Sequence, residues 1–299
     1  MKKVLLKIYY YLLDVKDKLI IFYNRSITEK MKKPIVVDTD KTIDKIINDK
    51  CSVSRFGDGE FSLIYGENLK FQSADEEISN KLKEILKSSS KNHIVCIPDV
   101  FGNIEWATDK AKLYWKKYLN LKINKIYKIL SNNNIYYDAL ITRLYIDSKD
   151  KSKVSNRFEK MKSLWKNRDI VIVEGEKSRL GVGNDLFYYA KSIERIICPS
   201  INAYSKYNDI FNQVMKQDKS KMILIALGPT ATILAYDLSV EGYQAIDIGH
   251  IDIEYEWFLN EAKEKSPVKN KYIGEINGGD IVTDTNDTKY LKQIIKIIS

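Results

Sequence analysis

The sequence predicts an α/β fold in which a mostly parallel sheet carries helices on both faces. Two observations lead to this expectation. From about residue 35 onward, short runs rich in β-branched residues alternate with longer stretches of helical periodicity. The 299 residues are 44% hydrophobic and 30% charged, a composition that supplies a full core and is not typical of disordered chains.

The strand-like runs number seven and are separated by helical stretches. The predicted strands are Ser52–Arg55, Ile94–Ile97, Ala139–Thr142, Ile170–Glu174, Arg195–Cys198, Met222–Leu227 and Gln244–Ile248. The predicted helices include 76–87, 104–119, 156–166, 206–217 and 230–241. Ligands of such sheets bind beyond the carboxyl ends of the strands, so the residues that follow each strand are the first candidates for a site.

The first 33 residues form a basic, amphipathic segment. They hold nine Lys or Arg and three acids, so +6 of the net charge of +9 lies there. Charged residues such as Lys7, Asp14 and Lys16 interrupt every candidate membrane span, and the same breaks argue against a secretory signal. We expect a helix that either packs on its own domain or lies on a partner or on the anionic inner face of a membrane.

The rest of the chain shows no Pro/Gly/Ser-rich linker. We therefore divide it into a main domain at 34–275 and a C-terminal tail at 276–299 that ends in a helix. Residues 34–299 carry only +3, which excludes a uniformly basic nucleic-acid binder. The three cysteines lie far apart, as expected of reduced core residues in a cytoplasmic protein, and they indicate neither a zinc site nor a disulfide framework.

Asp58 and Glu60 follow the first predicted strand, Ser52–Arg55. One residue separates them, and each is preceded by a glycine. Extended backbone would turn both carboxylates to the same side, where they could bind one Mn²⁺ or Mg²⁺ together with substrate phosphates. Gly57 and Gly59 would leave room for a diphosphate. The bare Asp-x-Glu pattern is weak, since it recurs at Asp252 and Glu254, and its context must decide.

Three further strand ends carry polar, glycine-containing sequence, and these segments begin at Glu174, Gly228 and Asp247. Gly228 to Thr232 begins a helix whose free amides, with the hydroxyls of Thr230 and Thr232, suit a phosphate; an ordinary capped helix start is the alternative. The spacing fits neither a Walker A loop nor GxGxxG.

Basic residues follow two of the strands. Lys177 and Arg179 would neutralise a diphosphate, unless they belong to a surface loop. Arg143 has the same two interpretations, with Asp147 as its possible structural partner.

His250 stands among the acids Asp252, Glu254 and Glu256 after the last predicted strand. It would ligate a metal, or one of these acids would act as general base toward a hydroxyl, unless His250 is a hydrogen-bonded structural residue. His93, which precedes an apolar strand, is expected at the surface.

Taken in order, these segments resemble the glycosyltransferases of GT-D type, a bacterial family first catalogued as a domain of unknown function. The resemblance runs from about residue 35 to 271 and excludes the basic N-terminal segment. The segments that carry it are Arg55–Glu60, Val173–Glu176, Arg179–Asp185, Leu227–Thr232 and Asp247–Trp257.

The resemblance implies a Rossmann-like fold and a nucleotide-sugar donor, usually a UDP-hexose. It also implies Mn²⁺ or Mg²⁺ held through an Asp-x-Glu motif that falls on Asp58 and Glu60. Arg55, Gly57, Arg143, Lys177 and Arg179, together with Gly228, Thr230 and Thr232, would line the donor site. If transfer inverts the anomeric centre, Glu254 or Asp252 would accept the acceptor's proton.

We therefore expect a metal-dependent hexosyltransferase that moves a sugar, glucose in the first instance, from UDP to a glycan on a glycoprotein or surface polysaccharide. Its expected location is the cytoplasm, with contact at the inner membrane surface through residues 1–33. Two alternatives stay open: a non-catalytic nucleotide-sugar-binding or scaffold subunit, and a metal-dependent phosphohydrolase. The hydrolase is disfavoured because the chain has only two histidines and no HD or DxDxT pattern.

Overall fold

The computed structural model describes residues 2–131 and 133–299, without the side chains of residues 2–10, 14 and 25. Within this part of the chain, nine strands form a single sheet in which every neighbouring pair is parallel. The strands are β1 (Ile35–Val37), β2 (Ser52–Arg55), β3 (His93–Ile97), β4 (Ile135–Asp138), β5 (Asp169–Gly175), β6 (Ser192–Cys198), β7 (Met222–Ala226), β8 (Ala245–Asp247) and β9 (Ile294–Ile297). Their order across the sheet is β1-β4-β3-β2-β8-β7-β5-β6-β9.

Helices connect most of the strands. They are α1 (Lys2–Thr28), α2 (Thr39–Asp49), α3 (Asp58–Ile64), α4 (Glu76–Lys87), α5 (Asp109–Ile129), α6 (Val154–Leu164), α7 (Tyr207–Val214), α8 (Pro229–Val240), α9 (Ile251–Leu259) and α10 (Thr288–Gln293). Short 3-10 helices lie at Ala139–Thr142 and Ala203–Lys206.

Helices cover both faces of the sheet, as alternation along β5 illustrates. Ile170 and Ile172 belong to a core with α2, α6 and α9, whereas Val171 and Val173 belong to a core with α7 and α8. A third core places α3, α4 and α5 against the face formed by alternate residues of β3 and β4. Side chains two apart in a strand share a face, so each buried strand supplies both layers. The predicted α/β class with helices on both faces is confirmed.

Three local predictions were wrong. Residues 139–142 form a 3-10 helix rather than a strand, because Asp138 accepts a hydrogen bond from the Leu140 amide (2.9 Å) and ends β4 there. Asp58 belongs to a helix rather than to extended backbone. His93 is buried rather than exposed, and its Nε2 lies 2.9 Å from the Ser54 hydroxyl.

Both ends of the chain add to this body. The N-terminal helix α1 packs along α5, and Asn24 Nδ2 donates to the Asn120 carbonyl (2.8 Å). At the other end, α10 leads into β9, which extends the sheet beside β6. No helix in the described part of the chain combines the length and apolar character that crossing a membrane requires.

The chain order reverses near the centre of the sheet. From β2 the strands β3, β4 and β1 continue toward one edge, whereas β8, β7, β5, β6 and β9 fill the other side. Strands β2 and β8 are neighbours there, with Val53 opposite Ile246. A crevice beyond the carboxyl ends at such a reversal is the usual ligand site of parallel sheets.

Candidate functional site

Arg55 and Asp247 join the carboxyl ends of β2 and β8. Arg55 Nη2 lies 2.8 Å from Asp247 Oδ1, and Arg55 Nε donates to the Asp247 carbonyl at 2.9 Å. Arg55 Nη1 also donates to the Ala139 carbonyl at 3.1 Å. Burial raises the pKa of Asp247, and the Arg55 charge opposes that rise. Three segments distant in sequence are thus fixed around one guanidinium group.

Gly249 allows the chain to pass over this ion pair. Its φ is +40°, and a Cβ atom at this position would lie 1.9 Å from Arg55 Nη2. A side chain here would therefore meet both backbone strain and a direct collision. The Gly249 amide donates to Asp247 Oδ1 at 3.1 Å, which fixes the loop that leads to His250.

Asp58 and Glu60 lie in the first turn of α3. Side chains two residues apart on a helix are about 200° apart, so the expected convergence by extended backbone does not apply. Glu60 instead turns back to the helix start, where its Oε2 accepts from the Gly57 amide at 2.6 Å. Both carboxylates therefore remain at the N-terminal end of α3, just beyond β2.

Negative charge is concentrated around Glu60. Its pKa is raised to about 7, mainly by burial and to a smaller extent by the nearby carboxylates of Asp247 and Asp58, while the bond from the Gly57 amide opposes the rise. Asp58 is held from α5, because the Tyr114 hydroxyl donates to its Oδ2 and the Tyr118 hydroxyl donates to its carbonyl at 3.3 Å. The carboxylates of Asp58, Glu60 and Asp247 repel one another, and the described side chains compensate this repulsion only in part. A cation bound near them would reduce it.

This donor set fits a hard divalent cation that shares its ligands with a substrate. Among the described residues, no group of three or more His, Cys, Asp or Glu side chains forms a metal cage. Two carboxylates remain, and Mg²⁺ is commonly bound by one or two carboxylates plus phosphate oxygens and water. Asp58 and Glu60 are therefore suited to such an ion, and unsuited to a closed structural site.

The start of α8 lies beside the same strand ends. Gly228 precedes the helix with φ +54°, and Pro229 occupies its first turn. Thr232 donates to the Arg55 carbonyl at 2.8 Å, so its hydroxyl ties α8 to β2. Thr230 is buried, and its hydroxyl has no hydrogen-bond partner in the described part of the chain. An unsatisfied hydroxyl at a helix N-terminus suits an anionic ligand.

Lys177 and Arg179 contact the C-terminal loops. Arg179 is buried and donates to the carbonyls of Asn270 (3.1 Å) and Thr283 (2.7 Å). Lys177 donates to the Val282 carbonyl at 3.0 Å. The predicted binding of a diphosphate by these two cations stays a prediction, and these contacts do not support it.

A second charged cluster surrounds Glu275. Arg143 pairs with Glu275 rather than with Asp147, its expected structural partner, and Lys265 lies 3.1 Å from Glu275 Oε2. His250 Nε2 lies 3.0 Å from Glu275 Oε1, and its Nδ1 lies 3.3 Å from Arg143 Nη2. Partial desolvation, together with the charges of Arg143, Arg55 and Lys265, lowers the pKa of His250 to about 4 against the opposing charge of Glu275. The imidazole is therefore neutral at pH 7, with Nε2–H donating to Glu275 and Nδ1 accepting from Arg143.

This Glu275 cluster adjoins the Asp58 carboxylate. The charges of Arg143 and Glu275 both act on the Tyr114 hydroxyl, which bonds Asp58, and burial raises the pKa of Tyr114 above its usual value. Neither Glu275 nor Tyr114 was predicted. Glu275 is 132 residues from Arg143, and Tyr114 looks like an ordinary aromatic residue of an amphipathic helix. No local pattern reveals such partners.

Glu254 and Asp252 are buried in α9. Glu254 Oε2 accepts from the amides of Tyr145 (2.8 Å) and Ile146 (2.9 Å), and burial raises its pKa to about 6. Asp252 accepts from the Gly181 amide (2.8 Å) and pairs with Lys271 (2.7 Å). Both carboxylates hold loops in place, so their role as general base stays a prediction without a supporting contact.

The sequence of this chain matches a known protein family and two named relatives. The sequence profile of the family described as "Glycosyltransferase GT-D fold" matches residues 53–276. The chain is 39% identical over 272 residues to glycosyltransferase GlyD of Streptococcus pneumoniae, covering 89% of this chain and 33% of that protein. It is 42% identical over 261 residues to a probable glycosyl transferase, Gly, of Streptococcus gordonii, covering 87% of this chain and 38% of that protein. The chain thus spans about a third of the length of these relatives.

Solved structures agree with the sequence matches. A glycosyltransferase from Streptococcus sanguinis, described as DUF1792, superposes with a TM-score of 0.85 at 40% identity, covering 89% of this chain and 100% of that one. A second DUF1792 structure, described as having a distinct glycosyltransferase fold, gives 0.86 at 38% identity over 93% of this chain and 100% of that one. The chain therefore belongs to the family of glycosyltransferases with the GT-D fold.

Proposed function

We propose that this chain transfers a hexose, glucose in the first instance, from a UDP-sugar to a glycan on a glycoprotein or surface polysaccharide, in a metal-dependent reaction. The observation that carries the proposal is the placing of Asp58 and Glu60, which follow β2, near the start of α8, which follows β7; β8 alone separates these two strands, and Thr232 of α8 bonds the Arg55 carbonyl at the end of β2. Carboxylates for a cation and free amides for a phosphate are then available at one place.

Asp58 and Glu60 would hold a divalent cation, Mn²⁺ or Mg²⁺. When bound, the cation would stabilise the negative charge that develops on the leaving UDP. The protein contributes fixed geometry: Tyr114 orients Asp58, and the Gly57 amide orients Glu60. The first turn of α8, with the unpaired Thr230 hydroxyl, would contact the diphosphate.

His250 is the predicted catalytic residue that keeps solvent exposure, since Glu254 and Asp252 are buried. Its neutral imidazole would take the proton of the acceptor hydroxyl if a substrate displaced Arg143 from Nδ1. Glu275 on Nε2 would orient the ring and stabilise the imidazolium that forms. His250→Asn would then reduce kcat about 10²-fold or more, while Glu254→Gln would reduce it by less.

Release of UDP tests the transfer reaction. UDP-glucose and other UDP-hexoses would be incubated with Mn²⁺ and a panel of glycopeptide and polysaccharide acceptors. We expect UDP release and addition of one hexose when a suitable acceptor is present, with both lost in Asp58→Asn and retained in the control Glu76→Gln, an exposed acid of α4. Release of UDP without any acceptor would instead support a hydrolase.

Binding of the UDP-sugar and release of UDP together distinguish a scaffold subunit from an enzyme. A non-catalytic subunit would bind the UDP-sugar and yet release no UDP with any acceptor. Binding that survives loss of Asp58 and Glu60, together with no turnover, would favour that alternative over catalysis.

A further inference from the structure

The N-terminal helix α1 exposes a continuous apolar face. Tyr11, Leu19 and Phe22 are exposed to 67%, 65% and 75%. At about 100° per residue, six apolar side chains fall within about 120° of the helix circumference. This apolar stripe consists of Tyr11, Leu12, Val15, Leu19, Phe22 and Tyr23.

The opposite face of α1 already has its partner. Asn24 is buried and bonds the Asn120 carbonyl on α5, and the partly buried Ile20 lies on the same side as Asn24. The apolar stripe is therefore turned away from the protein, and folding of the main domain does not cover it. Contiguous exposed apolar surface of this kind marks an interaction site.

Charge decides between the possible occupants. Residues 1–33 carry a net charge of +6, and Lys16 and Lys18 lie at the two margins of the apolar stripe. Packing the stripe against a second copy would bring two such charges together, which is unfavourable. An anionic lipid surface attracts the lysines and at the same time accepts apolar side chains between its acyl chains.

We propose that α1 lies in the plane of an anionic membrane surface, with the apolar stripe inserted below the headgroups and the flanking lysines at headgroup level. The apolar stripe covers residues 11–23, which corresponds to about 18 Å along the helix axis, more than three helical turns in contact with the surface. Because α5 carries α1 on one side and binds Asp58 through Tyr114, the membrane contact and the carboxylate site are connected by one helix.

Vesicle binding by the full chain tests this proposal. Sedimentation would compare vesicles of phosphatidylcholine with vesicles that also contain phosphatidylglycerol. We expect binding to the anionic vesicles that added salt weakens, and a loss of about tenfold or more in Leu19→Glu/Phe22→Glu. Lys16→Gln should lower binding to anionic vesicles about fivefold. Ile281→Glu, which charges another exposed apolar residue (83%), should change nothing.

Three results would overturn the proposal. The folded wild type could fail to bind anionic vesicles, or the double variant could bind as well as the wild type. Light scattering could also show a dimer that Leu19→Glu/Phe22→Glu dissociates, which would make a second copy the occupant. An unchanged circular dichroism spectrum and thermal midpoint in the double variant confirm that its fold is intact, and binding of UDP-sugar, measured in parallel, is expected to stay unchanged.

Discussion

Single residues set the geometry between β2 and β8. Arg55 and Asp247 form an ion pair at 2.8 Å, and Gly249 crosses directly above it. Because the pair is mostly buried, its energy depends on keeping both partners in place, and removing one would leave an uncompensated charge. The sequence placed all three residues in candidate segments, yet their pairing follows from strand order, which no local pattern contains.

Gly249→Ala should destabilise the fold and lower activity. The added Cβ atom would lie 1.9 Å from Arg55 Nη2, so the guanidinium must move away from Asp247. We expect a loss of about 3 kcal/mol in the free energy of unfolding, measured by denaturant titration. Gly66→Ala is the matched control: its φ is +75° and no atom lies within 4 Å of the new Cβ, so only about 1 kcal/mol of backbone strain is expected. Equal losses in the two variants would contradict this account of Gly249.

Glu60 should make metal binding depend on pH. Its pKa is raised to about 7 from an ordinary 4.5, so in the folded protein it keeps its proton up to about pH 7. The stability that this proton contributes is present below the ordinary pKa and is lost as the pH rises through about 7. The affinity for Mn²⁺ changes with pH in the opposite direction: it rises as the pH rises, because Glu60 must be ionised to bind the cation.

We therefore expect the apparent affinity for Mn²⁺ to rise about tenfold per pH unit from about pH 5.5 to about 7 and to level off above it. Calorimetry in buffers of different ionisation enthalpy would count the proton released. Glu60→Gln should bind Mn²⁺ weakly and without this dependence. A wild-type affinity that is flat across the range would show that Glu60 is not a ligand.

Two helix starts explain why α3 and the 3-10 helix at 139–142 were predicted as extended backbone. The pattern Gly57-Asp58-Gly59-Glu60 has glycine before a helix and Glu at its third position, a capping arrangement that could have indicated α3. The residues 139–142 have the apolar character of a strand, but Asp138 caps a turn there. Long β-branched runs such as β5 and β7 were predicted correctly, because burial on both faces leaves no competing interpretation.

Helix α9 depends on one lysine from a distant loop. Lys271 is buried and lies 2.7 Å from Asp252 Oδ2 and 2.8 Å from Glu256 Oε1. Lys271→Met should leave the Asp252 charge uncompensated and cost about 3 to 5 kcal/mol in denaturant titration. Lys269→Met, two residues away and exposed, should cost less than about 0.5 kcal/mol. If Asp252→Asn added to Lys271→Met restored nothing, the ion pair would not be the source of the loss.

At the scale of the whole molecule, one sheet unites the chain from β1 to β9. The sequence did not predict three of its strands: β4, where the strand was expected four residues later, and β1 and β9, which are the edges of the sheet and have only three and four residues. Short edge strands bury little, so their hydrophobic pattern is weak. The C-terminal tail was predicted to end in a helix; α10 is present, and β9 follows it into the sheet.

Tyr290 of α10 should contribute to the stability of the whole sheet. Its buried ring lies 5.0 Å from the Arg195 guanidinium, which pairs with the fully buried Glu174 on β5. Tyr290→Ala should cost about 3 kcal/mol and lower the midpoint of a single cooperative transition. Tyr188→Ala, which removes an exposed ring (76%), should have little effect. A separate early transition in Tyr290→Ala would instead indicate that the C-terminal elements unfold independently.

Calorimetric binding of UDP and a panel of UDP-sugars, with and without Mn²⁺, would test the proposed function. It would compare the wild type with Asp58→Asn/Glu60→Gln. We predict binding that requires Mn²⁺ and is lost in the double variant, while the control Glu76→Gln binds as the wild type does. Metal-independent binding, or equal binding by the double variant, would contradict the assignment of these two carboxylates.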